Sequence, residues 1–121
     1  MFQLNEDLEH KKLIVFLKAI PEPMCSSPQP EFLYSLAKSI PADGTIVEIG
    51  TCAGKSLISM AIARRAINGS KIHSIDIEKH PHIEEYIEKA GVKAWTELTI
   101  GESIQVAEQW NKPIDLLFID G

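Results

Sequence analysis

The stretch Thr45-Ile46-Val47-Glu48-Ile49-Gly50-Thr51-Cys52-Ala53-Gly54-Lys55-Ser56 constrains the fold more than any other part of the chain. It opens as a short β-branched run and turns through two glycines. It then enters the helical pattern Ser56-Leu57-Ile58-Ser59-Met60-Ala61-Ile62-Ala63. A strand, a tight turn and a helix start in immediate succession predict one half of a βαβ unit in a parallel α/β sheet. In such sheets ligands bind at the carboxyl ends of the strands, where helix N-termini present N–H groups. Glycines let the backbone come close to a ligand, because no side chain stands in between. Glu48 falls near the end of the apolar strand. A carboxylate there repels phosphate and suits a cationic or amine-bearing ligand.

Three ligand-binding patterns compete for this turn. A dinucleotide fingerprint needs Gly-x-Gly-x-x-Gly, and the position two after Gly50 is Cys52. A P-loop needs a glycine, four residues and then Gly-Lys-Ser or Gly-Lys-Thr. Gly54-Lys55-Ser56 fits its end, but the first glycine of the motif falls on Ile49. The third pattern, Glu-x-Gly-x-x-x-Gly, is filled by Glu48, Gly50 and Gly54. It resembles the first motif of class I S-adenosylmethionine-dependent methyltransferases. The resemblance implies that the turn Gly50, Thr51, Cys52, Ala53, Gly54, with Ser56, approaches the methionine part of the cofactor. The acid at the Glu48 position acts there through water or backbone groups.

Lys71-Ile72-His73-Ser74-Ile75-Asp76 reads as a second strand ending in an acid, one helix and one turn after the first. A carboxylate at that place can accept hydrogen bonds from ribose hydroxyls. It can equally be a turn residue or helix cap. Ile77 offers an apolar face to an adenine ring. A third strand is expected at Glu97–Ile100, followed by Gly101-Glu102-Ser103. That run resembles the adenine-binding turn of the catechol O-methyltransferase-like branch. It also reads as a turn in which Glu102 or Ser103 caps a helix over Ile104–Trp110.

Pro113-Ile114-Asp115-Leu116-Leu117-Phe118-Ile119-Asp120-Gly121 is an apolar run ending in Asp-Gly. Its continuity predicts a strand buried on both faces. It resembles the fourth motif of the same family. In related metal-dependent O-methyltransferases the acid at the Asp120 position ligates a divalent cation such as magnesium. The cation holds the acceptor and acidifies its hydroxyl. By this resemblance Asp120 is both the catalytic and the metal-ligating residue.

The resemblance implies an α/β, Rossmann-like, three-layer αβα fold with parallel strand order 3-2-1-4. It covers residues 40–121, and the later strands of the family sheet are missing. The acid and histidine that usually follow the fourth motif are missing with them. Two segments are expected: an N-terminal helical segment, residues 1–41, and an S-adenosylmethionine-binding half-domain, residues 42–121. The implied activity is methyl transfer by in-line attack of an acceptor oxygen or nitrogen, with O-methylation of a small molecule favoured. Catalysis would rest on positioning and deprotonating the acceptor. Two alternatives stay open. One is an inactive or truncated cofactor-binding or assembly module. The other is a P-loop-like nucleotide hydrolase using Gly54-Lys55-Ser56, with Asp120 as its second acid. With no fifth strand beside it, Pro113–Ile119 would be an exposed apolar edge, so a homodimer through that edge is expected.

The rest of the sequence sets boundaries. A formal net charge of −5 gives no basic footprint for nucleic acid. Arg64-Arg65 is a local pair that reads as the solvated end of a helix. No apolar run approaches the ~20 residues of a membrane span. Cys25 and Cys52 are too few for a disulfide framework and are not spaced as a zinc site, which points to reduced thiols in a cytoplasm. Asp7–Ile20 carries apolar residues at helical spacing, and Pro21-Glu22-Pro23 ends it. A second helix starts at Pro30 or Glu31, with Phe32, Leu33, Leu36 and Ile40 on one stripe. His80-Pro81-His82 reads as a solvated helix start.

Overall fold

The computed structural model describes residues 30–51 and 54–119. The helix expected over Asp7–Ile20, together with Cys25, Cys52, Ala53 and Asp120, lies outside the described residues. The elements run in this order: α1 Pro30–Ser39, β1 Ile46–Ile49, α2 Lys55–Ala66, β2 Ile72–Asp76, α3 Ile83–Ala90, a 3-10 turn Lys93–Trp95, β3 Thr96–Ile100, α4 Ser103–Gln109 and β4 Leu116–Ile119. The strands form one parallel sheet in the order β3-β2-β1-β4. This is the Rossmann-like methyltransferase topology that the motifs imply. The chain moves outward from β1 through β2 to β3, then returns to the other side of β1 for β4. That reversal marks a switch point, where open α/β sheets form crevices at the carboxyl ends of their strands.

The registers sort the side chains onto two faces, because a strand alternates sides at every residue. Ile46, Ile72, Thr96 and Leu116 align across the sheet, and so do Glu48, Ser74, Leu98 and Phe118. This face meets α1, α2 and α3. Leu33 and Ala37 of α1, Leu57, Ile58 and Ile62 of α2, and Ile83 and Ile87 of α3 form one apolar cluster over it. α2 is buried without interruption from Ser56 to Arg64. A helix buried all round sits between other elements rather than on the surface, and α2 lies between α1, α3 and the sheet. Gly91, at φ 70°, ends α3 in the left-handed conformation that suits glycine.

The opposite face carries Val47, Ile49, His73, Ile75, Leu117 and Ile119. Among the described residues it is covered by α4 and Trp110. An apolar hollow of about 320 Å3 remains there, with Val106, Trp110, Ile114 and Leu117 in its walls. β4 therefore differs from the strand expected. It begins at Leu116 rather than Pro113, and Leu116 and Phe118 are half-buried against the helices. Leu117 and Ile119 are 47% and 63% exposed. A continuous apolar run shows that both faces are suited to burial. What covers each face is settled by packing.

Arg64 corrects a second expectation. It is not the solvated end of a helix but is wholly buried. Its Nη1 donates to the carbonyls of Ala37 at 3.0 Å and Ile40 at 2.7 Å. Its Nη2 donates to Pro41 at 2.9 Å and Ala42 at 3.0 Å, and its Nε to the Ser70 carbonyl at 3.2 Å. The last carbonyls of a helix have no partner inside it, and one planar guanidinium here serves that of Ala37 together with carbonyls of the turn beyond the helix. Burial lowers the Arg64 pKa, and the charge of Asp115 acts in the opposite direction. Asp115 also accepts the Thr45 N–H at 2.8 Å. Arg64 thus ties the end of α1 to the turn that leads into β1.

Arg64→Ala leaves several buried carbonyls without a donor. We expect a loss of about 3 kcal/mol or more in urea denaturation. Arg64→Lys restores little of it, because an ammonium cannot span the same set of acceptors. A Cβ added at Gly69 would stand 2.7 Å from Arg64 Cζ, so Gly69→Ala also lowers the unfolding midpoint. An Arg64→Ala chain as stable as the parent would contradict this account.

Candidate cofactor site at the carboxyl ends of the strands

The turn after β1 is held by its glycines. Gly50 and Gly54 adopt φ values of 97° and 91°, a region that other residues rarely enter. Gly50 N–H donates to the Ile75 carbonyl at 2.8 Å, which ties the turn to β2. Gly54 N–H donates to the Thr51 carbonyl at 2.9 Å, and its own carbonyl starts α2 by accepting the Ile58 N–H at 2.8 Å. A Cβ at Gly54 would lie 2.2 Å from Ile83 Cδ1. This glycine therefore permits both the backbone turn and close packing against α3.

Beneath the turn lies a buried polar layer. Glu48 is wholly buried, as is Ser74, while Ser56 and Thr51 are nearly so. Ser56 Oγ donates to Glu48 Oε2. Ser74 Oγ donates to Glu48 Oε1 at 2.7 Å and pairs with Thr51 Oγ1 at 2.6 Å. A buried carboxylate needs hydrogen-bond donors to offset the loss of water. Ser56 supplies one from the first turn of α2, where the helix dipole also favours negative charge. Glu48, Thr51, Gly54 and Ser56, singled out in the sequence, thus form the support of the turn. They are not in the wall of the crevice above it.

That crevice encloses about 350 Å3, within the size range of small-molecule sites. It gathers six residues expected from sequence, namely Gly50, Asp76, Ile77, Gly101, Glu102 and Ser103. Ile49, Ile75 and Ile104 complete its wall and were missed. Ile49 and Ile75 sit at or next to the ends of strands that were recognised, and only the sheet register shows which side they face. The sequence presents Ile104 simply as part of a helix. Its exposure, 72%, is the sign that something apolar could lie against it.

Asp76 is oriented by backbone. Its Oδ2 accepts the Thr51 N–H at 2.9 Å, and its Oδ1 accepts a longer contact of 3.4 Å from the Glu78 N–H. An ionised carboxylate only accepts hydrogen bonds, and hydroxyl groups are donors of the kind it takes. Ile77 and Ile104 provide apolar surface for a flat ring. At Gly101 an added Cβ would have no atom within 4 Å, which leaves the floor of the crevice open. Gly101 N–H donates to the Asp76 carbonyl at 2.8 Å, so the ends of β2 and β3 are joined. Glu102 occupies the N-cap position of α4 without a side-chain capping bond, contrary to the capping role considered for it. Acid, apolar walls and open glycine floor together fit a nucleoside.

The same geometry opposes a P-loop. The hydroxyl that would hold a nucleotide's metal, on Ser56, is given to Glu48. The Glu48 carboxylate lies under the place where phosphates would sit. Among the described residues, no group of three or more His, Cys, Asp or Glu side chains is placed to hold a metal ion. Nor is any helix long and apolar enough to cross a membrane. His80 and His82 lie at the start of α3 with their rings near Tyr86.

Three substitutions at two positions probe the support of the turn. Gly54→Ala forces a left-handed alanine into Ile83, and we expect a destabilisation of about 2 kcal/mol or more. Glu48→Ala leaves the Ser56 and Ser74 hydroxyls without their acceptor and removes volume, for a loss of about 2–4 kcal/mol. Glu48→Gln keeps the shape and one acceptor and should lose less. Chemical denaturation orders the three, and Glu48→Gln as damaging as Glu48→Ala would refute the hydrogen-bond account.

A family model for the methyltransferase domain matches residues 47–121, more than half of the chain. Among solved structures, the chain is similar to the O-methyltransferase TomG from Streptomyces achromogenes, crystallised in complex with SAM. Identity is 25% over 93% of this chain and 52% of that one, with a TM-score of 0.67. A putative O-methyltransferase from Klebsiella pneumoniae is 26% identical over 99% of this chain and 52% of its own, with a TM-score of 0.66. The SAH-bound methyltransferase PaMTH1 from Podospora anserina is 21% identical over 95% and 50%, with a TM-score of 0.69. The chain thus spans about half the length of these proteins. On the extent of the family match, carried by a sheet of the same topology, the chain belongs to the methyltransferase-domain family.

Proposed function

We propose that this chain is the cofactor-binding part of an S-adenosylmethionine-dependent methyltransferase that acts on a small-molecule hydroxyl. The observation that carries the reading is Asp76, held by the Thr51 N–H inside a crevice with apolar walls and an open floor at Gly101. Similar solved structures with SAM or SAH bound support it. In this reading Asp76 accepts hydrogen bonds from the ribose hydroxyls. Ile77 and Ile104 pack on the adenine, and the Gly101-Glu102-Ser103 backbone borders its edge. Gly50, in the crevice wall at the start of the glycine turn, borders the methionine part. When bound, the cofactor supplies an electrophilic methyl group on a sulfonium sulfur.

The acceptor side of the reading is built on Asp120, which follows β4 in sequence. Ile119 is in register with Ile49, so β4 runs toward the same end of the sheet as the crevice. A divalent cation such as magnesium at Asp120 would hold the acceptor and favour loss of its proton. The cation would need further oxygen ligands to reach about six. A homodimer through the Pro113–Ile119 edge belongs to the same proposal, supported by the place of β4 at the end of the strand order among the described residues. So does a cytoplasmic setting, on the thiol pattern of the sequence.

Calorimetric titration with S-adenosylhomocysteine, with ATP in parallel, tests the core of the proposal. We expect micromolar binding of the former alone, weakened about tenfold or more by Asp76→Ala. Gly101→Val should leave the unfolding midpoint nearly unchanged and weaken binding about tenfold, the equivalent of ~1.4 kcal/mol. Magnesium-dependent ATP binding lost in Lys55→Ala would instead restore the nucleotide-hydrolase reading. Binding of S-adenosylhomocysteine with no methyl transfer to any phenolic or alcoholic acceptor would favour the inactive module. Light scattering at micromolar concentration tests the dimer, and a monodisperse monomer would refute it.

A further inference from the structure

Thr51 is engaged at every polar group. Its N–H donates to Asp76 Oδ2 at 2.9 Å, its Oγ1 pairs with Ser74 Oγ at 2.6 Å, and its carbonyl accepts the Gly54 N–H at 2.9 Å. The direction of the hydroxyl pair follows from proton counting. Ser74 has one hydroxyl proton and donates it to Glu48 Oε1 at 2.7 Å. Thr51 is therefore the donor to Ser74. A directed chain runs from Thr51 to Ser74 to the buried Glu48 carboxylate, and Thr51, where it starts, is the residue whose N–H holds Asp76.

The anchoring matters because of what flanks it. Gly50 and Gly54, both at positive φ, give the turn wide conformational freedom. A turn bracketed by two glycines keeps a single geometry only if something between them is fixed. Thr51, 5% exposed, is fixed from below by Ser74, which is wholly buried. Neither residue lines the crevice. Their effect can reach a ligand only through the Thr51 amide and the Asp76 carboxylate it orients.

We propose that the Thr51–Ser74 hydroxyl pair is a positioning device for Asp76, so that selectivity for ribose hydroxyls is set by two residues that do not touch the ligand. The inference rests on the nucleoside reading of the crevice given above. Removing either hydroxyl releases the Thr51 amide and lets the carboxylate turn away from the diol. Contact with the adenine part is then largely retained, because Ile77, Ile104 and Gly101 take no part in the hydroxyl pair.

The test compares S-adenosylhomocysteine with its 2′-deoxy counterpart by calorimetric titration of the 121-residue chain. The unchanged chain should prefer the ribose form by about tenfold or more, as for a lost hydrogen bond to a charged group. Thr51→Val keeps the shape and the amide but removes the hydroxyl. Ser74→Ala removes the partner. Each should bring the preference below about threefold, mainly by weakening the ribose ligand. Thr51→Ser, which keeps the hydroxyl, should restore it. Thermal melts establish that each variant is folded at the assay temperature. Should Thr51→Val unfold, Ser74→Ala carries the same comparison. A parallel loss for both ligands with an unchanged ratio would show a merely structural pair and overturn the inference alone. Failure of the unchanged chain to bind either ligand would overturn the nucleoside reading together with it.

Discussion

The carboxylate of Glu48 is the constraint on which the site depends. It lies within the sheet, wholly buried, with a hydroxyl from α2 on one oxygen and a hydroxyl from β2 on the other. Isolated carboxylates do not survive in such surroundings, because losing water outweighs most other terms. The surrounding elements must therefore close on it in one arrangement. Ser56 has to stand on the first turn of α2, which fixes where the helix begins. Ser74 has to face the same side of the sheet as Glu48, and the pairing of these two residues in the β1–β2 register puts it there. The turn between β1 and α2 inherits its position from both.

Arg64 plays the matching part at the other end of the same helix. It gathers carbonyls from the end of α1, from the turn that follows it and from Ser70 before β2. Ser70 joins in, with its N–H on the Ala42 carbonyl at 2.8 Å. α2 is thus pinned at its start by an acid it helps to bury and near its end by a base it carries. Between the two, an unbroken buried segment, apolar except for Ser59, packs under α1 and α3. Such rigidity below the sheet lets the loops above be shaped by glycine, since the scaffold rather than the loop holds the geometry.

The two faces of the sheet are unequal. One is filled by three helices, and the other, among the described residues, by α4 and Trp110. Trp110 meets His73 edge-on, with ring centroids 5.2 Å apart, and its Nε1 donates to the Lys112 carbonyl at 2.7 Å. The crevice opens where the carboxyl ends of β1, β2 and β3 meet the start of α4, the end of the sheet at which parallel α/β folds bind ligands.

Much of this was legible in the sequence, and the physical reason is local. The runs at Ile46–Ile49 and Ile72–Asp76 and the glycine turn between β1 and α2 have periods and turn residues that only a few conformations satisfy. The strand order is what the family resemblance implies, and the gathering of Gly50, Asp76 and Gly101 at one end of the sheet follows from the strands being parallel. Three things came only from tertiary structure. Arg64 looked like a surface charge because nothing within a few residues reveals that carbonyls 22 to 27 positions away will surround it. For Glu48 and Thr51 the sequence shows that they neighbour the turn, not that they lie beneath it and outside the crevice wall. Ile104 looked like helix surface because its place beside Ile77 depends on how β3 and β2 align. Sequence specifies the elements through spacing along the chain. The burial of polar groups depends on which distant donors and acceptors packing brings together, and that is decided only when the chain closes on itself.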